Sequence, residues 1–221
     1  MSEHLYDGEF YWLSPESFSL DLHWWKIYEE SFPLAERDSK EQLKFAIKKN
    51  VACIGGYRIG EEIVAIVVLY RMQKPAFAFL HFFAVAAAWR GKQLGSQLFK
   101  LIVAEAKQYV LQQSDKTLGL VWEVEDPTAA QNPKDQLMQS KRIHFYERLG
   151  GELFQSKFIQ PPLNNQQAVA MQLMHNFGRS EVAELDIATA IYYEKYQNIN
   201  DIESQQIEEF LNRCYPKLKA G

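Results

Sequence analysis

The chain has 221 residues, of which 47% are hydrophobic and 24% charged, the profile of a globular protein able to bury a sizeable core. Its formal net charge is −4, and without a basic surplus it does not read as a general nucleic-acid binder. The two cysteines, Cys53 and Cys214, form neither a disulfide framework nor a metal-type spacing, which fits a reducing compartment.

"MSEHLYDGEF" has no basic or apolar leader pattern. The longest apolar run, "AFAFLHFFAVAAAW", falls short of a bilayer span and carries His81. The expectation is a cytoplasmic protein with no membrane contact. "EFYWL", from Glu9 to Leu13, reads as a first strand. "SPESFSLDLHWWKIYEESF" reads as a helix with Ser14 or Ser17 as its cap, interrupted at Pro33. Asp38 and Glu41 form a capping-box pattern for a second helix that runs to Lys49. "VACIGGYRI" and "EIVAIVVLYRM", parted at Gly60, predict a hairpin. "AFAFLHFFAV" is so apolar that both faces of its strand should be buried.

A glycine-bearing basic turn follows, then a helix from Leu94 to Gln112 whose Leu98, Leu101, Ile102 and Ala106 repeat at helical spacing. "TLGLVWEVE", from Thr117 to Glu125, predicts another buried strand, and "DPTAAQNPKDQ" a polar loop. "LMQSKRIHFYERLG" predicts a helix closed by Gly150 and Gly151. "ELFQSKFI" and "AVAMQLMHNF" predict two last strands around "QPPLNNQQ". From Gly178 the composition changes, and two helices are expected: "SEVAELDIATAIYYEKYQ", then "DIESQQIEEFLNRCYPKL" with Asp201 as cap. The order describes an α/β domain with a mixed sheet.

In "VAAAWRGKQLGSQLFKLI", Arg90, Gly91, Lys92 and Gly95 stand at the mouth of a helix. A helix N-terminus offers unpaired N–H groups and a positive dipole end, and glycine lets backbone approach a ligand. The spacing matches neither G-x-x-x-x-G-K-[ST] nor G-x-G-x-x-G. Taken alone, the turn reads equally as helix punctuation or as a phosphate cradle.

This stretch resembles motif A of the GNAT superfamily of N-acetyltransferases, with Val85 on its usual valine, Arg90 at the first signature position and Gly95 at the last. Gln93 stands where a glycine is usual. "RIHFYERLGGELF" resembles motif B, with Tyr146 on its tyrosine and Gly150 on its glycine; Gln139 and Ser140 lie near the place of its asparagine. "EESFPLAERDS" is similar to the link between the first two helices. The resemblance covers residues 9 to 175. It implies a central mixed, mostly antiparallel sheet flanked by helices, in a domain expected over residues 1–177; the two-helix extension over 178–221 lies outside the resemblance and is expected to pack on the domain or at an interface.

The resemblance further implies acetyl transfer from acetyl-CoA to a primary amine of a small cationic molecule or a peptide, with no metal, in a monomer or homodimer. A GNAT-fold module that binds CoA without turnover is the alternative. Phe83, Ala84 and Val85 would bind the pantetheine arm through main chain, and Arg90, Gly91, Lys92, Gln93, Leu94, Gly95 and Ser96 the pyrophosphate. Tyr146 is the candidate acid for the leaving thiolate. Glu123 and Glu125 share one strand face and are the candidate bases, since neighbouring carboxylates raise one another's pKa; Asp126 extends the patch. Glu29, Glu30 and Glu36 are candidates to bind a cationic acceptor. His81 and His144 are weaker alternatives for the base.

Overall fold

Seven strands pair in the order β1-β2-β3-β4-β5-β7-β6. They are β1 (Glu9–Trp12), β2 (Ala52–Ile59), β3 (Glu62–Gln73), β4 (Ala76–Val85), β5 (Leu120–Glu125), β6 (Glu152–Gln160) and β7 (Val169–His175). The structure is a computed structural model that describes residues 7–19, 21–111, 118–178 and 182–216. The expected helix end at Gln112, the strand start at Thr117 and the tail-helix start at Ser180 lie outside the described residues. Every strand pair is antiparallel except β4 with β5, which α3 (Leu94–Leu111) connects. The sheet is therefore mixed and mostly antiparallel, as expected.

Apolar faces place the helices. Phe99, Ile102 and Ala106 of α3, with Ile143 and Tyr146 of α4 (Pro133–Glu147), pack on one sheet face against Leu69, Leu80 and Trp122. Trp24, Ile27 and Tyr28 of α1 (Leu22–Ser31) and Leu43 and Ala46 of α2 (Lys40–Lys48) cover the other face. Both faces of β4 are thereby buried, and its span matches the predicted "AFAFLHFFAV".

Several boundaries correct the sequence reading. Asp21, not Ser14 or Ser17, caps α1 by accepting from Trp24 N at 3.0 Å. The two serines bond to each other across a separate 3-10 turn, Ser17–Ser19. The capping box of α2 is Ser39 with Gln42, one residue later than the Asp38–Glu41 pattern. Asp38 is drawn inward by buried partners described below. α4 begins at Pro133 under an Asn132 cap, so the last four residues of "DPTAAQNPKDQ" are helical; proline is suited to a first turn because its missing N–H has no bond to make there.

The tail is also different in detail. α5 (Glu184–Ala190) continues through a π-helical stretch, Ile191–Gln197, into the short α6 (Asn198–Asn200). Asp201 ends this run in the left-handed region (φ 57); it does not cap α7 (Ser204–Cys214), which Glu203 precedes.

Ile187, Tyr192, Tyr196, Ile207 and Leu211 share one core with α1 and α2. The same run satisfies sheet backbone that no strand reaches. Glu184 accepts from Gln155 N and Ser156 N at 2.9 and 3.0 Å, where the register between β6 and β7 is irregular. Tyr192 brackets Ile159 on the sheet-edge strand, donating to its carbonyl at 2.8 Å and accepting from its N–H at 3.2 Å. Glu194 accepts from Gln73 N and Lys74 N at 2.7 and 3.1 Å. An edge protected in this way is not a template for another chain.

Candidate active site

The parallel ladder has three rungs, Ala78–Leu120, Phe79–Val121 and Leu80–Trp122. β4 then carries a bulge: Leu80 faces Leu69 and Phe82 faces Val68, leaving His81 as the extra residue. A bulge bends a strand and re-aims its side chain. From His81 to Val85, β4 runs on with no strand on its β5 side among the described residues. At the first unpaired rung the side chains meet instead, with His81 Nδ1 2.8 Å from Glu123 Oε1.

A cavity of about 530 Å³ opens at this splay, lined by Phe83, Ala84, Val85, Arg90 and Gly95 on one side. Tyr146, Trp122, Glu36, Glu123, Glu125 and Arg142 line the rest. A second cavity of about 640 Å³ adjoins it through the shared residues Glu36 and Glu125.

The basic turn shows why glycine is expected at its centre. Gly91 and Gln93 both lie in the left-handed region, at φ 76 and 62. Gln93 is exposed and holds by backbone alone the conformation glycine adopts at no steric penalty. The first helical bonds run from Ser96 N and Gln97 N to Gln93 O at 3.2 and 3.3 Å. The amides ahead of them, of Gln93, Leu94 and Gly95, are not used by the helix, and such groups at a dipole-positive end suit a pyrophosphate.

Side chains around this turn do other work. Leu94 is buried in the core. A Cβ at Gly95 would sit 3.7 Å from Val85 and Phe145, an ordinary contact. Arg90 donates to Val85 O at 2.9 Å and to Ser31 Oγ at 3.0 Å, tying the end of β4 to α1. The Lys92 ammonium stands 4.9 Å from the Trp89 ring centre.

Tyr146 packs against Phe99, Phe145 and Trp122 with ring centroids 4.9 to 5.2 Å apart. Burial pushes its hydroxyl up to about 12, with Arg142 pulling down and Glu125 pushing up. It keeps its proton throughout the neutral range.

The structure brings Glu36, Glu123 and Glu125 together and gives each a different setting. Glu125 is paired with Arg142 of α4. Glu123 accepts from the Tyr196 hydroxyl at 3.1 Å on both oxygens and faces His81. Behind His81, Nε2 lies 3.4 Å from Asp38 Oδ2. Asp38 is fully buried with Lys195 Nζ at 3.0 Å, Asn200 Nδ2 at 2.7 Å and the Tyr70 hydroxyl at 3.1 Å. Burial alone would raise the Asp38 carboxyl; Lys195 and His81 overcome it and hold it well below the usual range.

The other candidates lie elsewhere. Glu29 is exposed and lines neither cavity. Glu30 reaches the rim, 4.0 Å from Lys26 on its own helix. Asp126 is occupied by Thr128 and Lys157. His144 bonds Ser140 O within α4. Asp38 carries only a helix-cap pattern in the sequence, Lys195, Tyr196 and Asn200 carry no motif, and Arg142 sits unmarked in the helix of Tyr146 and His144.

A mixed sheet that splays at its parallel pair, with a helix N-terminus at the mouth of the splay, defines the acyl-CoA N-acyltransferase fold. The model of the Acetyltransferase (GNAT) family matches residues 18–150, more than half of the chain, and the chain belongs to that family. No curated protein matches it. Among solved structures it is similar to one described as a GNAT-family acetyltransferase from Bacteroides thetaiotaomicron, with 19% identity, a TM-score of 0.69, and coverage of 88% of this chain and 99% of that one. Arabidopsis thaliana NAA60 in complex with acetyl-CoA is similar at 14% identity and a TM-score of 0.55, covering 77% and 98% of the two chains. An acetyltransferase of the GNAT family from Streptococcus pneumoniae matches at 14% identity and a TM-score of 0.51, covering 78% and 100%. At these identities the likeness is one of fold.

Proposed function

We propose that the chain is an N-acetyltransferase that moves an acetyl group from acetyl-CoA to a primary amine. The observation that carries this reading is the splay of β4 from β5. It leaves one backbone edge of β4 free beside the N-terminus of α3, with a protonated tyrosine lining the same cavity. The similar NAA60 structure contains acetyl-CoA. The residues present fit such a donor, because the turn offers amides at its helix end and the cavity reaches from that turn to the carboxylates of Glu36, Glu123 and Glu125. Bound there, acetyl-CoA supplies the thioester that is attacked.

The chain's own groups divide the remaining work. Main chain from Phe83 to Val85 aligns the donor arm along the free strand edge. The turn holds phosphate oxygens through the backbone N–H groups of Gln93, Leu94 and Gly95, while Ser96 N closes the first helical bond to Gln93 O. Tyr146 keeps a proton at its hydroxyl oxygen for the leaving sulfur. The acidic wall of Glu36, Glu123 and Glu125, in which Arg142 is already paired, favours a cationic acceptor over an anionic one.

The test is thiol release from acetyl-CoA with a panel of primary amines, alongside thermal stabilisation by CoA. Turnover with at least one amine is expected, and Tyr146→Phe should lower kcat about 100-fold while CoA still stabilises the fold. Stabilisation by CoA with no turnover on any amine would support a binding module instead.

A further inference from the structure

Four carboxylates line the first cavity; Glu30, at the rim, lies 4.0 Å from Lys26, and two of the other three are committed to partners. Glu125 pairs with Arg142. Both oxygens of Glu123 take the Tyr196 hydroxyl, and one also faces His81. Glu36 makes no side-chain hydrogen bond or ion pair among the described residues, is half-buried, and lines both cavities at their junction.

Its backbone is nevertheless held firmly. Glu36 closes the short 3-10 turn Leu34–Glu36 between α1 and α2. Gln160, buried at the end of β6, donates to Ala35 O at 2.8 Å. Asn164 donates to Leu34 O at 3.2 Å and to Arg37 O at 2.6 Å. The carbonyls on either side of Glu36 are thus fixed from across the sheet, while its carboxylate stays available. A base needs that combination of a fixed position and an unoccupied acceptor.

We propose that Glu36 is the general base that takes the proton from the acceptor ammonium where the two cavities join. This role rests on the N-acetyltransferase reading above. Glu36 removes one proton from the ammonium and leaves a free amine. The C–N bond forms as the C–S bond breaks, and the sulfur takes the Tyr146 proton. The second proton of the attacking nitrogen returns to the Tyr146 oxygen, and Glu36 releases its own to water. One proton is released per amide formed.

The charges around Glu36 tune it for this task. Glu123 and Glu125 face it from β5, with Asp126 beyond them; Arg142 and Tyr146 stand on α4, and His81 on β4. The loop between β6 and β7 contributes the neutral Asn165, Gln166 and Gln167. Burial, then repulsion by Glu125, pushes the Glu36 carboxyl up to about 8, with Arg142 pulling it down and Glu123 adding to the rise. A base with a pKa near the working pH couples availability with driving force.

The experiment is the pH dependence of kcat for wild type, Glu36→Gln, Glu36→Asp and Glu125→Gln, on any amine that the wild type accepts. Only ionised Glu36 can take the proton, so wild-type kcat should rise with pH through about 8. Glu36→Gln should lose that limb and about 100-fold in kcat, with CoA stabilising it as it does the wild type; Glu36→Asp should recover part of the rate. Glu125→Gln removes the stronger repulsion and should move the limb to lower pH. Wild-type kcat in Glu36→Gln, or a limb unmoved in Glu125→Gln, overturns the role of Glu36 and leaves the enzyme reading standing. Absence of turnover by the wild type on every amine sinks the enzyme reading, and this role with it.

Discussion

Gln93 shows how a single position can depart from a motif and still meet its geometric demand. Its φ of 62 is the left-handed conformation that a Cβ disfavours by about 1–2 kcal/mol. Gln93→Gly removes that strain but gives the unfolded chain more freedom. The net expectation is a gain of a few tenths to about 1 kcal/mol in stability, read by denaturant unfolding. The affinity for CoA should not change, because the cradle is made of backbone. A large gain in affinity would show that the glutamine side chain obstructs it. The elements that carry Tyr146, Gly150 and the Arg90 turn were legible in the sequence because their surroundings are local, a strand or helix and its adjoining turn. It could not show that Arg90 is spent on Val85 and Ser31, since Ser31 lies 59 positions away.

Pairs of elements decide the fate of the acidic residues. Period-2 geometry correctly put Glu123 and Glu125 on one face of β5, yet their availability depends on α4 and the tail. Arg142 takes one and Tyr196 with His81 the other. Asp38 illustrates the same point. Its local pattern suggested a helix cap, but Lys195, 157 positions away, claims the carboxylate and leaves capping to Ser39. Lys195→Met would leave a fully buried carboxylate without its main counter-charge, and a loss of about 3–5 kcal/mol is expected, measured by denaturant unfolding. The folded-state carboxyl of Asp38 lies below its unfolded value. Its contribution is therefore present above about pH 3.9 and is lost as the pH falls further. In Lys195→Met, the remaining stability should depend less steeply on acid in that range. A variant as stable as the wild type at neutral pH would remove the buried pair from the account of the fold.

Over the whole chain, the tail is a working part of the structure. Its aromatic residues share the core with α1 and α2, its glutamates and Tyr192 satisfy sheet backbone, and Lys195, Tyr196 and Asn200 support the residues behind the cavity. Removing residues 182–216 would strip Tyr192 and Tyr196 from Phe158 and leave Asp38 without Lys195 and Asn200. The truncated chain is expected to lose cooperative thermal unfolding and to stop responding to CoA. A truncation that unfolds cooperatively and still responds would make the tail an accessory.

Hydrophobic periodicity, turn residues and two short motifs were enough to indicate the strands, the mixed sheet, the basic turn and Tyr146, because each depends on neighbours a few positions away. The π-helical course of the tail, the bulge at His81, the burial of Asp38 and the isolation of Glu36 arise from groups brought together across the fold. Desolvation and charge pairing act through space, so a carboxylate's role follows from what packing places beside it.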